Sequence, residues 1–284
     1  MGYSHQDQQY TAPWPFLADQ AKLCEKFTFN DNDVILTAYA KSGTHWLWEV
    51  LSMLIKGEAE PSKSAKERLM FSFGTQKDFD KYQSPRIFNT HVRYKGLPKC
   101  LKSESNVKTK MVYLLRNPKD VAVSYYYHLK SATDFDYNGT WNGFYSLFIE
   151  GKVPGGSWFD YVVEWDKEIN SGKHPNIIVM YYEDLQKNFT SEIKRLSDFL
   201  GFSYSNDLFT AIAEKCSFSS MKENDERLKE QFPIHMSKDG KNFIYRKGVV
   251  GDWKNHFTVA QNDEMDQIIT NRLKDTDLKF QYSV

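Results

Sequence analysis

Tyr39-Ala40-Lys41-Ser42-Gly43-Thr44-His45-Trp46 joins an apolar run, Val34-Ile35-Leu36-Thr37, to a helix-like stretch, Trp46-Leu47-Trp48-Glu49-Val50-Leu51-Ser52-Met53-Leu54. This order of strand, small-residue turn and helix decides how the rest of the chain is read. Such a turn faces backbone N–H groups outward, where together with the positive helix end they can hold a phosphate. Lys41 adds a point charge, and Ser42 and Thr44 add hydroxyl donors. The full G-x-x-x-x-G-K-[ST] pattern is missing, so the turn is a relative of the phosphate loop and not a Walker A loop. Alone, it is equally compatible with a plain strand-to-helix connection. A functional reading needs a second site that agrees with it.

Outward from the turn, apolar runs of strand length alternate with longer helical patterns. Residues 34–39 read as a buried strand, and the helix beyond them reaches about Ile55, ending near Gly57. The charged stretch 58–86 shows little periodicity and reads as a short helix with a flexible cover. Arg86-Ile87-Phe88-Asn89-Thr90-His91 is a second strand ending at a polar site, and Lys110-Met111-Val112-Tyr113-Leu114-Leu115 is a third. Arg116-Asn117-Pro118-Lys119-Asp120 then turns into a helix, with Pro118 tolerated in its first turn. Residues 139–156 form a loop with short helical pieces, and 158–169 an amphipathic helix. A fourth strand covers 176–180, with Tyr181-Tyr182-Glu183-Asp184 at its carboxyl end. Thr190 caps a helix through Leu200 that Gly201 stops, and further helices cover 206–216 and 262–274.

The pattern predicts one α/β domain over 1–284, with 1–26 irregular. Its mostly parallel central sheet is flanked by helices around a P-loop-like phosphate-binding strand–loop–helix. Ligand groups collect beyond the carboxyl ends of such strands. Lys41, His91, Arg116 and Tyr182 all fall there.

Composition narrows the function classes. Lys plus Arg number 37 and so do Asp plus Glu, a balance that argues against nucleic acid as a partner yet leaves room for a local basic pocket. Aromatic residues make up 15% of the chain, enough for a deep core and an apolar pocket for a ring-bearing ligand. Cys24, Cys100 and Cys216 lie far apart without C-x-x-C spacing and read as reduced thiols of a cytoplasmic protein. The polar N-terminus and the lack of any apolar run near 18 residues predict no signal segment and no membrane partner. Asn138-Gly139-Thr140 and Asn188-Phe189-Thr190 then read as chance glycosylation matches. No His/Cys/Asp/Glu cluster has metal-ligand spacing, and the carboxylates read as surface charge.

Further stretches carry a family pattern: Arg116-Asn117-Pro118-Lys119-Asp120-Val121-Ala122-Val123-Ser124-Tyr125-Tyr126, Arg246-Lys247-Gly248-Val249-Val250-Gly251-Asp252-Trp253-Lys254, Tyr182-Glu183-Asp184-Leu185 and Gly156-Ser157-Trp158. With the opening turn, they make the chain resemble the cytosolic sulfotransferases from about residue 27 to about residue 257. The resemblance implies the donor 3′-phosphoadenosine 5′-phosphosulfate (PAPS), the product PAP and no metal. It assigns the 5′-phosphosulfate to Lys41, Ser42, Gly43, Thr44, His45 and Trp46, and the 3′-phosphate to Arg116, Ser124, Arg246, Lys247 and Gly248. Trp46 and Phe218 would flank the adenine with Tyr182 and Cys216 nearby, Cys216 standing where many relatives carry threonine.

The turn departs from the family's Tyr-Pro-Lys-Ser-Gly-Thr-Thr-Trp at Ala40 and His45. The family's Lys-Thr-His-Leu-Pro stretch is matched by Asn89-Thr90-His91-Val92-Arg93, which keeps the histidine but puts a neutral amide in place of lysine. Returning lysine to position 89 is expected to raise the transfer rate. Lys254-Asn255-His256-Phe257-Thr258-Val259, with Asp263 in the final position, resembles the family's dimer motif and implies a homodimer contact over 254–263.

Sulfuryl transfer asks an attacking hydroxyl to shed a proton while negative charge grows on the departing phosphate. Neutral histidine suits the first task near pH 7, so His91 is the expected general base. Lys41 and the N–H groups of its turn answer the second. Phe71, Phe73, Tyr125, His128, Phe135, Trp141, Phe144 and Tyr245 are the expected acceptor walls, although each reads equally well as core. They suit a phenolic, aromatic or steroid-like hydroxyl, or an amine. Two other readings stay open: a P-loop-like phosphoryl transferase, disfavoured by the incomplete loop, and a catalytically weak PAPS-, PAP- or hydrophobe-binding protein, motivated by Ala40, His45 and Asn89.

Overall fold

The computed structural model describes residues 26–71, 73–103, 108–132, 135, 137–228 and 244–284, so the irregular opening segment and Cys24 lie outside the described residues. Strands β1 (Val34–Ala38), β2 (Ile87–Thr90), β3 (Lys110–Leu115) and β4 (Ile177–Tyr181) form a parallel sheet in the order β2-β1-β3-β4. The helices are α1 (Thr44–Lys56), α2 (Gln76–Phe79), α3 (Pro118–Ser131), α4 (Trp141–Ile149), α5 (Trp158–Asn170), α6 (Tyr182–Lys187), α7 (Phe189–Leu200), α8 (Asn206–Lys215), α9 (Phe218–Leu228) and α10 (Val259–Leu273).

Near-continuous apolar strands are what a sheet covered on both faces requires. Successive side chains point to opposite faces, and each face here has its own core. Ile35 of β1 and Met111, Tyr113 and Leu115 of β3 pack with Phe88, Tyr125, Phe148, Tyr161 and Trp165. Val34, Leu36 and Ala38 of β1 and Val112 and Leu114 of β3 pack instead with Leu47, Leu51, Met180, Ile193 and Phe209. Tyr113 stacks on Trp165 at 4.8 Å between ring centroids, which seats α5 on its face of the sheet.

Register then sets the position of the strand tips. Ala38 is paired with Leu114, and Leu115 with Tyr181, so the residues that follow β1, β3 and β4 emerge along one edge. Helix ends follow local chemistry. Gly57 closes α1 at φ 71°, and the Asn117 side chain accepts from Asp120 N–H at the start of α3, with Pro118 in the first turn. Thr258 and Gln261 form a reciprocal cap on α10.

Three expectations are corrected. Thr190 does not cap α7, because the helix begins one residue earlier at Phe189 with Asn188 in the cap position. The stretch 58–86 is not a loose cover where it meets β2. Phe71 N–H donates to Asn89 C=O at 3.2 Å, and the 3₁₀ turn Lys66–Leu69 carries Lys66 and Glu67 into the interior. The carboxylates are not all surface charge either: Asp33, Asp120, Glu183 and Asp252 are buried, Asp33 against Arg86 at 2.6 Å.

Candidate active site

The turn after β1 is held in a conformation that few residues accept. Lys41 has φ 69° and Gly43 φ 104°, both left-handed. For Lys41 this costs about 1–2 kcal/mol, which surrounding contacts must offset. Gly43 is demanded twice, since a Cβ there would also lie 2.6 Å from the Tyr182 ring. The result is a run of backbone N–H groups at the start of α1, with Lys41 and Thr44 facing a cavity of about 1190 Å³.

Arg116, the first residue past β3, ties this turn to a distant loop. Its Nη1 donates to Lys41 C=O at 3.2 Å, its Nη2 donates to Val249 C=O at 3.2 Å, and its guanidinium lies 4.1 Å above the Tyr182 ring. These bonds use two of the five guanidinium N–H donors, and the buried Nε makes no hydrogen bond.

Buried carboxylates staple the surrounding loops. Glu183 accepts from Asn117 N–H at 2.8 Å and Asn117 Nδ2 at 2.9 Å. Asp120 accepts from Gly251 N–H at 2.8 Å and Trp253 N–H at 3.0 Å. Asp252 pairs with Arg246 and Lys247, each at 2.6 Å, and Arg246 also lies over Tyr127. Gly248 sits at φ 68° against Phe218, whose ring an added Cβ would meet at 2.3 Å. Sequence patterns of apolar periodicity carry no sign of these carboxylate contacts.

Beside this basic rim lies His91, directly after β2. Its Nδ1 is 2.8 Å from Ala38 C=O, and a carbonyl only accepts, so Nδ1 carries the proton and Nε2 the basic lone pair. Burial first, and the positive charge of Lys66 second, lower the His91 pKa to about 4. Lys41 Nζ lies 3.2 Å from His128 Nδ1, and its pKa falls to about 7 through burial and then repulsion from Lys66, Arg116 and Arg246. Two residues unseen in the sequence belong to this centre: Lys66 Nζ lies 3.2 Å from Asn89 Oδ1 and 3.1 Å from Glu67, and Glu67 also faces His45 Nε2 at 3.1 Å.

Most residues singled out from sequence line the same cavity. At the basic end these are Lys41, Gly43, Thr44, His45, Trp46, Arg116, Ser124, Tyr182, Arg246, Lys247 and Gly248, and His91 joins them. Phe73, Tyr125, His128, Phe135 and Tyr245 also line it. Trp46 stacks on Phe189 at 5.3 Å and donates through Nε1 to Cys216 C=O at 2.9 Å. Cys216 therefore contributes its backbone, while its buried Sγ lies 4.0 Å from Met53.

Four residues stand elsewhere. Ser42 is buried within the turn, and Phe71 is fully buried against Phe27 and Phe88. Phe144 belongs to the core, and Trp141 packs on Phe257 with its Nε1 donating to Gln261. Phe71, Phe144 and Trp141 are thus structural and do not wall an acceptor pocket. Among the described residues, no group of three or more His, Cys, Asp or Glu side chains is placed to hold a metal ion. Among them, too, no helix is long and apolar enough to cross a membrane.

Comparison with known proteins agrees with this geometry. The model of the sulfotransferase domain matches residues 31–277. Human Sulfotransferase 1E1 is 34% identical over 273 residues, covering 92% of this chain and 90% of that protein. Rabbit amine sulfotransferase is 35% identical over 272 residues, 91% and 87% of the two chains. The crystal structure of mouse sulfotransferase SULT7A1 complexed with PAP superposes with a TM-score of 0.76 at 31% identity, covering 92% of each chain. A left-handed turn leading into α1, a basic rim joined to it through Arg116 and a family match over most of its length lead to one conclusion: the chain belongs to the sulfotransferase family.

Proposed function

We propose that this protein, as one sulfotransferase domain over 1–284, transfers a sulfuryl group from PAPS to a hydroxyl or amine of a small aromatic, phenolic or steroid-like acceptor. The observation that carries the reading is electrostatic. Lys41, Arg116, Arg246 and Lys247 converge on one cavity, where burial first and then repulsion from Lys66, Arg116 and Arg246 lower the Lys41 pKa. Bringing cations together costs free energy that a multiply anionic ligand offsets. The name of the mouse structure, which holds PAP, supports the same ligand for this chain.

The donor, when bound, supplies an electrophilic sulfur and a phosphate leaving group. His91 Nε2 takes the acceptor proton, and Ala38 C=O keeps the opposite nitrogen protonated so that the correct tautomer faces the cavity. Lys41 and the backbone N–H groups of Gly43 and Thr44 would hold the phosphate as it becomes more negative, an interaction strongest in the transition state. Arg116, Ser124 and Gly248 hold the 3′-phosphate, with Arg246 and Lys247 shared between it and Asp252. Trp46 and Phe218 bound the base, and Phe73, Tyr125, His128, Phe135 and Tyr245 form the acceptor wall.

This reading includes a cytoplasmic location, supported by free thiols at Cys100 and Cys216. It also includes a homodimer through 254–263, supported by the 80% exposure of apolar Val259. Incubation with labelled PAPS and a panel of phenols, catechols, sterols and amines tests the reaction. Label in at least one acceptor is expected. PAP binding without transfer at any pH from 5.5 to 8.5 would favour a donor-binding protein without turnover.

A further inference from the structure

We propose that Lys66 is the second ammonium of the transfer centre, a positioning residue delivered from the 66–69 turn to the place where Asn89 leaves the β2 tip neutral. This inference rests on the sulfuryl-transfer reading. Lys66 is almost completely buried, yet it belongs to the wall of the reaction cavity together with Glu67, His91 and Lys41. Its Nζ donates to Asn89 Oδ1 at 3.2 Å, and Asn89 Nδ2 donates back to Lys66 C=O at 2.6 Å. The two-way contact fixes both side chains and settles which end of the amide faces the ammonium. Phe71 N–H, bonded to Asn89 C=O, anchors the segment from which Lys66 comes.

The charge acts on the reacting groups that share its cavity wall. Of the charged residues acting on His91, which are Lys66, Lys41 and Glu67, Lys66 acts most strongly. The same holds for Lys41, on which Lys66, Arg116, Arg246 and Glu67 act, with His128 in contact. A purely structural account, in which Lys66 only neutralises Glu67, explains less. A buried ion pair adds little stability over an apolar pair of similar volume, and Glu67 already faces His45. A buried ammonium at the cavity wall, by contrast, acts where water is excluded and where the transferring group carries negative charge. In the reaction the acceptor oxygen–sulfur bond forms, the sulfur–phosphate oxygen bond breaks and the proton goes to His91. Lys66 exchanges no atoms and supplies field alone.

The placement also reverses one sequence expectation. Lysine at position 89 would set a second ammonium against the first, so Asn89→Lys alone is expected to lower turnover. It should help only when Lys66 is uncharged. The test uses Lys66→Gln, which keeps hydrogen-bonding capacity and removes charge, with Lys66→Arg and Lys66→Gln/Asn89→Lys beside it. Folding is checked by circular dichroism.

Two readouts apply: transfer kinetics with labelled PAPS, and NMR titration of the His91 ring in the unliganded protein. For Lys66→Gln the expected results are a kcat loss of about 10²-fold, an acceptor KM within about threefold, and a His91 midpoint raised by about one unit or more from about 4. Lys66→Arg should stay within about fivefold of wild type, and the double variant should recover at least about tenfold over Lys66→Gln. A folded Lys66→Gln protein with unmoved His91 midpoint and kcat within about threefold would overturn the inference. So would a loss of turnover that persists both in Lys66→Arg, where the charge is retained, and in the double variant. Should the wild type transfer no label, the sulfuryl-transfer reading falls, and the titration midpoint alone upholds or overturns the placement of the charge.

Discussion

Binding of PAP should draw a proton from solution. Lys41 has a pKa of about 7 in the unliganded protein, lowered by burial and then by Lys66, Arg116 and Arg246. A phosphate beside it restores the charged form, raising the pKa towards the ordinary value near 10. At pH 8 a group of pKa about 7 is roughly one-tenth protonated when free, and it becomes almost fully protonated in the complex. Uptake is therefore about 0.9 proton per PAP at pH 8. The sign for affinity follows: above pH 7 the free protein must first gain a proton, so Kd rises about tenfold between pH 8 and pH 9. Phosphate monoesters, with a second pKa near 6, are already ionised in that window and do not confound it. Isothermal titration calorimetry in buffers of different ionisation enthalpy measures the uptake. Lys41→Met should abolish it. Tight wild-type binding at pH 8 with no uptake would refute the clustered-cation reasoning.

Other consequences are local. Asp120→Ala strips the partner from Gly251 N–H and Trp253 N–H and one of two partners from Asn117 Nδ2, and is expected to cost about 3 kcal/mol of stability in chemical denaturation. It should also weaken PAP binding by loosening the 246–253 loop. Gly248→Ala forces an unfavourable φ and a 2.3 Å contact onto the Phe218 ring, so PAP affinity should drop about tenfold or more by calorimetry. Val259→Glu adds charge to an exposed apolar position in the proposed dimer contact, and sedimentation should show it shifted to monomer at concentrations where the wild type is dimeric.

The strands and the turn were legible in the sequence because both faces of β1 and β3 are buried, which leaves unbroken apolar runs beside small-residue tips. Lys41, His91, Arg116 and Tyr182 stood out for the same reason: each follows a strand whose end is easy to see. Lys66 and Glu67 were hidden in a stretch dense with charge. What buries them is pairing with β2, a tertiary contact that no local period encodes. Buried Asp33, Asp120 and Glu183 were read as solvated on the same grounds, their partners lying far along the chain or in backbone N–H groups, while Asp252 pairs with Arg246 and Lys247 close by in a stretch dense with charge. Aromatic residues near the acceptor region divided by packing alone, Phe73 and Phe135 reaching the cavity while Phe71 and Phe144 filled the core. Type and spacing do not distinguish those fates.

In the proposed reaction His91 accepts the acceptor proton beside a cationic cradle. Single-turnover transfer of labelled sulfuryl from bound PAPS, wild type against His91→Ala at pH 7, tests it most directly. The expected result is a loss of about 10³-fold or more in the transfer step, with PAP affinity changed by less than about threefold. Transfer by His91→Ala at the wild-type rate would contradict it.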